Sequence, residues 1–192
     1  MHHGLVSVLM AILLEAGIPK SSVVKEKRGF RPENSSRPGD LVVLDFFGPG
    51  RHLLLDAVVT TIYRNAIMDK ASRIPGHAAK LAEDRKFDVD KAATTPVSSV
   101  FGGDHVLVPF AMEDGGRFGA HALAFLRSLA EHAVSQGVFC APDSFASLKP
   151  AMQVSLWVQR WQQRLSAWLH VSLSRQLLRL YQPADSFALV YG

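Results

Sequence analysis

Arg37-Pro38-Gly39-Asp40-Leu41-Val42-Val43-Leu44 and His52-Leu53-Leu54-Leu55-Asp56-Ala57-Val58-Val59 are the two runs that decide the fold. The first puts Asp40 at the mouth of an apolar strand. The second puts Asp56 inside another. Leu53 to Leu55 and Ala57 to Val59 are apolar without alternation, so the second strand is expected to be covered on both faces. Phe47-Gly48-Pro49-Gly50 lies between them and reads as the tight link of a hairpin. Aspartate is a poor strand former and a costly buried charge. Each carboxylate therefore needs a counter-charge, a hydrogen-bond donor or a metal. Two of them on paired strands suggest a shared cation.

Outward from the hairpin, the elements fall into an α/β order. Gly4 to Glu15 reads as a helix stopped at Gly17, with Pro19 beyond it. Ser21 to Lys27 reads as a short strand and Gly29 to Pro38 as a loop. Asp40 to Phe46 and His52 to Thr61 are the hairpin strands. A helical region broken at Pro75-Gly76 follows, its second part running from His77 to Phe87. Thr94 to Gly103 reads as a loop, and His105 to Met112 as a strand that Pro109 assigns to an edge or an end. Phe118 to Ser135 reads as a helix, with Leu123, Leu126, Leu129, Ala130 and Ala133 on its apolar stripe. Residues 147–182 form a last helix, with Trp157, Trp161 and Trp168 on one face. The expected fold class is α/β, a small mixed central sheet flanked by helices, with a helical C-terminal extension. The expected division is a core over 1–140 and an extension over 141–192 packed on or next to it.

The 192 residues are 48% hydrophobic and 20% charged, enough for one domain with a sizeable core. The net charge of +4 permits a polyanionic partner without proving one. The single cysteine, Cys140, excludes an internal disulfide and a multi-cysteine zinc site, and points to a reducing, intracellular compartment, nuclear or cytoplasmic. The first helix is apolar but lacks a basic lead and carries Glu15, so it reads as a core helix rather than a signal or membrane segment.

Asp40 alone could cap the turn after Pro38-Gly39, and Asp56 could pair with a buried lysine or arginine. The other reading is a cation site. Hard divalent ions take one or two carboxylates plus waters and substrate phosphates. A nearby lysine would then stabilise charge developing on phosphorus or orient the attacking water.

Taken in order, Arg37-Pro38-Gly39-Asp40, Leu55-Asp56-Ala57-Val58-Val59, Ala78-Ala79-Lys80 through Arg85-Lys86-Phe87, and Val108-Pro109-Phe110 with Glu113 and Gly116-Arg117 resemble the restriction-endonuclease-like PD-(D/E)xK domain. The likeness is to copies in non-LTR retrotransposon and reverse-transcriptase-associated polyproteins, and covers roughly residues 1–135. It implies a metal-dependent endonuclease, a hydrolase that cuts DNA phosphodiesters with Mg²⁺ or Mn²⁺. Asp40 matches the first acid, with Gly39 separating it from Pro38. Asp56 matches the second acid, and Val58 stands where the lysine of that strand would be. In the retrotransposon branch the lysine comes from the following helix, where Lys86 is the best match and Lys80 the second. Asp40 and Asp56 would hold the metal. Glu15 could match an acid that some members carry on the first helix, or face solvent at a helix end. His2 and His3 stand where related proteins end a Cys/His zinc cluster, which cannot close here without further cysteines.

Arg37, Arg51, Arg85 and Arg117 are the candidate DNA phosphate contacts. The implied partners are DNA and the remainder of a larger polyprotein, with no membrane. The alternatives are a catalytically inactive nuclease fold that binds nucleic acid or protein, and a plain structural domain. Glu113 reads as a turn acid, the tryptophans as core, and Cys140 as an inert buried thiol.

Overall fold

Leu5, Val6, Leu9, Ile12 and Leu13 recur at helical spacing, and all five are buried in the first helix of a computed structural model of the chain. The structure describes residues 2–25, 39–91, 105–138 and 148–181. In chain order the elements are α1 (His2–Glu15), a 3₁₀ turn (Lys20–Ser22), β1 (Val23–Lys25), β2 (Leu41–Val43), β3 (Leu53–Thr60), α2 (Asn65–Arg73), α3 (His77–Lys91), β4 (Val106–Glu113), α4 (Ala120–Ser135) and α5 (Pro150–Tyr181). The loops expected over 29–38 and 94–103, the pair Gly102-Gly103, and Cys140 lie outside the described residues.

The sheet runs β1-β2-β3-β4. β1 with β2 and β2 with β3 are antiparallel, while β3 and β4 are parallel over Leu53↔Val106 to Thr60↔Glu113. A parallel neighbour needs a crossover, and α2 with α3 supplies it. The sheet is therefore mixed, with helices on both faces. Pro109 sits on the edge strand, where its missing N–H breaks no ladder.

Side chains alternate across β3 between two layers. Leu53, Leu55 and Ala57 join α1, α4 and α5 in the main core. Leu54 joins Val42 in a smaller cluster on the other face. Trp157, Trp161, Leu165 and Leu169 of α5 are buried in the same cluster as the strands. The C-terminal helix thus shares the core of the sheet. Trp157 and Trp161 are core residues, as their spacing suggested, with rings 4.8 Å apart, and Trp168 packs half-buried against the same core.

Several details differ from the sequence reading. β2 ends at Val43, because Leu44–Phe47 turn and Asp45 takes φ 56°. Asp45 holds that turn by accepting the Gly50 amide at 2.8 Å. α3 continues to Lys91. In α4, Leu123 is exposed, while Ala122 and Phe125 complete the buried stripe.

Candidate active site

Asp40 stands one residue before β2, beside the middle of β3. Its amide donates to the Leu55 carbonyl at 2.7 Å. Its Oδ2 accepts the Ala57 amide, also at 2.7 Å. The residue thereby bonds to both peptide neighbours of Asp56, and its carboxylate lies against that of Asp56. Gly39 makes this approach feasible. A Cβ there would meet the Leu55 carbonyl oxygen at 3.0 Å. The glycine between Pro38 and Asp40 thus stands where a side chain would crowd the β3 backbone.

Asp56 points away from the main core, into the side covered by α3. Lys86 Nζ reaches it from that helix, at 2.9 Å from Oδ1 and 2.8 Å from Oδ2. Burial pushes the Asp56 carboxyl above its ordinary value. Lys86 opposes that rise and the Asp40 carboxylate adds to it. Two acids and one lysine thus meet at a single place, assembled from a hairpin and the helix that follows it.

The other candidates are placed elsewhere. Lys80 pairs with Asp84 at 2.5 Å on the exposed face of α3 and does not reach Asp56. The two lysines lie six positions apart, which turns them to different sides of the helix. Arg85 adjoins Lys86 and is exposed. Arg51 lies before β3 at the hairpin turn, five residues from Asp56, or roughly 16 Å along an extended strand. Arg117 directs Nη1 to the Ala71 carbonyl at 3.5 Å, toward α2. Arg37 lies outside the described residues.

Glu15 belongs neither to this site nor to a free helix end. It accepts bonds from Arg160 at 2.7 Å, Arg164 at 2.9 Å and the Trp161 indole at 3.3 Å, tying α1 to α5. Glu113 is buried, and its Oε1 accepts the Ala78 and Ala79 amides at 2.9 and 3.4 Å. It is a helix cap supplied from a strand. Glu83, unremarked in sequence, does the same for α4 by accepting the amides of His121 and Ala122. Burial raises its carboxyl above the usual value, against the pull of those amides.

His2 is the site neighbour that sequence reasoning missed. Its Nε2 donates to Asp40 Oδ1 at 2.9 Å. The contact spans 38 residues and depends on how α1 packs, so no local pattern announces it.

A divalent metal can be tested against these residues. Among the described residues no group of three or more His, Cys, Asp or Glu is arranged to hold a metal ion. A closed protein cage is therefore a poor fit. Mg²⁺ does not require one, since it takes one or two carboxylates and completes its shell with water and phosphate oxygens. Asp40 and Asp56 supply such a pair. Each carboxylate has about four lone-pair sites, so the bonds to His2, Ala57 and Lys86 leave sites open. Burial is the main cause of the raised Asp56 carboxyl, and a cation between the acids would relieve the smaller part that the Asp40 carboxylate adds.

No family model matches the chain, and neither a curated protein nor a solved structure matches it. Among the described residues, no helix is long and apolar enough to cross a membrane.

Proposed function

We propose that the chain is a metal-dependent endonuclease domain of the restriction-endonuclease-like kind, hydrolysing DNA phosphodiesters. The observation that carries this is the meeting of Lys86 with Asp56, 2.8 Å apart, beside Asp40. The lysine comes from α3, the second helix of the helical region after the acid strand, and the retrotransposon branch implies a lysine from the helical side of the site. The order of helix, three strands, helices and parallel strand supports the same reading.

Asp40 and Asp56 would hold Mg²⁺ or Mn²⁺. The bound ion would polarise the scissile phosphate and lower the pKa of a coordinated water. Lys86, part-buried beside Asp56, would offer a positive charge to the charge developing on phosphorus. The Ala57 amide fixes the Asp40 carboxylate, and β3 fixes Asp56, so the acids are set before substrate arrives. Arg85, exposed and next to Lys86, would meet a neighbouring phosphate. A polyprotein of the mobile-element type and an intracellular setting are part of the same proposal.

The second reading is a nuclease fold that binds without cutting. It is favoured by Lys86 spanning both Asp56 oxygens and by valine at position 58. A nicking assay on supercoiled plasmid with Mg²⁺ or Mn²⁺ separates the two. Hydrolysis by wild type that vanishes in Asp56→Ala supports the enzyme. Equal nicking by both sinks this site. Binding without cleavage in wild type favours the second reading.

A further inference from the structure

Beside the acid pair, a groove of about 520 Å³ opens between β3, α2 and α3. Its apolar walls include Val58, Ile67, Leu81 and Val89. Arg64, Arg85 and Lys86 also line it. Lys86 is shared, facing the groove while holding Asp56. A strand entering the groove is therefore next to the acids.

Two observations suggest what the groove accepts. Arg64, just before α2, and Arg85 on α3 make no ion pair or side-chain hydrogen bond among the described residues, whereas Arg73 on α2 and Lys80 on α3 are paired with Asp69 and Asp84. Leu81 and Val89 are 41% and 59% exposed, although they line the groove. Uncommitted guanidiniums next to open apolar walls match a base and its phosphate together. An intact duplex offers phosphates but keeps its base faces stacked, so it has nothing for the walls.

We propose that this groove receives an unstacked nucleotide of a single DNA strand, making single-stranded or frayed DNA the substrate of the acid pair. This rests on the nuclease reading and narrows it. Val58 then has a role: the apolar side chain in the lysine's expected place forms part of the wall beneath a base.

The test is fluorescence anisotropy with a short labelled single strand and with the same strand annealed to its complement, in Ca²⁺ without Mg²⁺. The single strand should bind about tenfold tighter than the duplex. Leu81→Glu and Val89→Glu, both at exposed positions, should weaken single-strand binding about tenfold and leave duplex binding unchanged. Asp56→Asn should keep the preference. Duplex binding equal to or tighter than single-strand binding overturns the proposal, as does single-strand binding unaffected in folded Leu81→Glu and Val89→Glu. If neither DNA binds, the groove and the DNA reading fall together. Groove-dependent binding with no cleavage of the labelled single strand in Mg²⁺ or Mn²⁺ leaves the groove standing and removes the endonuclease.

Discussion

Asp40 Oδ2 accepts the Ala57 amide at 2.7 Å, so the carboxylate before one strand is anchored on the backbone of the next. The Asp40 amide on the Leu55 carbonyl completes a bracket around Asp56. The acids are held together by main-chain bonds that neither a metal nor a substrate needs to supply. Asp40→Ala should therefore disturb position as well as charge. Asp40→Asn, which retains an acceptor oxygen for Ala57, should keep the fold closer to wild type while losing hydrolysis. Thermal melts beside nicking rates check this.

Asp56 has a cost that its substitution should reveal. Its carboxyl is raised in the folded state by burial, so the folded chain binds more protons than the unfolded one between the ordinary and raised values. Stability falls as pH rises through that window and stays lower above it. Asp56→Asn should therefore melt above wild type at neutral pH, with the difference closing as pH falls below the ordinary carboxylate range. Glu83 shifts in the same direction, so the wild-type minus Asn difference isolates Asp56. A melt of Asp56→Asn below wild type at neutral pH would mean that the Lys86 pairing outweighs burial.

Lys86→Ala should reduce hydrolysis by about 10²–10³-fold if the ammonium stabilises the transition state. Val58 lies two residues after Asp56 on β3, so both side chains leave the strand on the same side. Val58→Lys in the Lys86→Ala background should recover part of the lost rate. Lys80→Ala should leave the rate within about twofold, since its partner is Asp84 on an exposed helix face.

Gly119 leaves room for the Glu83 cap. A Cβ there would lie 2.2 Å from Glu83 Oε1. Gly119→Ala should destabilise by about 2 kcal/mol through crowding and loss of the cap. Glu83→Ala should cost about 1–2 kcal/mol by itself. In the double variant the alanine no longer meets the carboxylate, so the two losses should fall short of additive. Denaturant melts of the four proteins check this cycle.

Glu15→Ala should loosen α5 from α1 by leaving the Trp161 indole, Arg160 and Arg164 without this acceptor. A loss of about 1–2 kcal/mol is expected. Glu15→Gln should lose less, because it still accepts from Trp161, and added salt should narrow the gap between wild type and Glu15→Gln by screening the two ion pairs.

The hairpin, its acids and the choice between Lys86 and Lys80 rested on unequal sequence signals. Asp56 was legible because a carboxylate inside Leu-Leu-Leu-Asp-Ala-Val-Val contradicts its surroundings. The strands and helices were legible from apolar runs and glycine or proline breaks. The lysine was narrowed only to two positions, because helical phase decides which side chain faces β3 and sequence leaves that phase loose. The early end of β2 depends on one residue, Asp45, in a left-handed conformation. His2, Glu15 and Glu83 act over separations of 38, 145 and 38 residues, in contacts that only tertiary packing creates.

The first helix touches Asp40 through His2 and α5 through Glu15. At 14 residues it is roughly 20 Å long, a rod with one end on the acid pair and the other on the tryptophan helix. Its middle lies in the core that both share. The acid pair therefore has no independent melting behaviour. Calorimetry should show one heat-absorption peak, with far-ultraviolet helicity and tryptophan fluorescence lost at the same temperature. Shortening the chain ahead of Trp157 would open the core under the strand that carries Asp56, far in sequence from the acid pair itself.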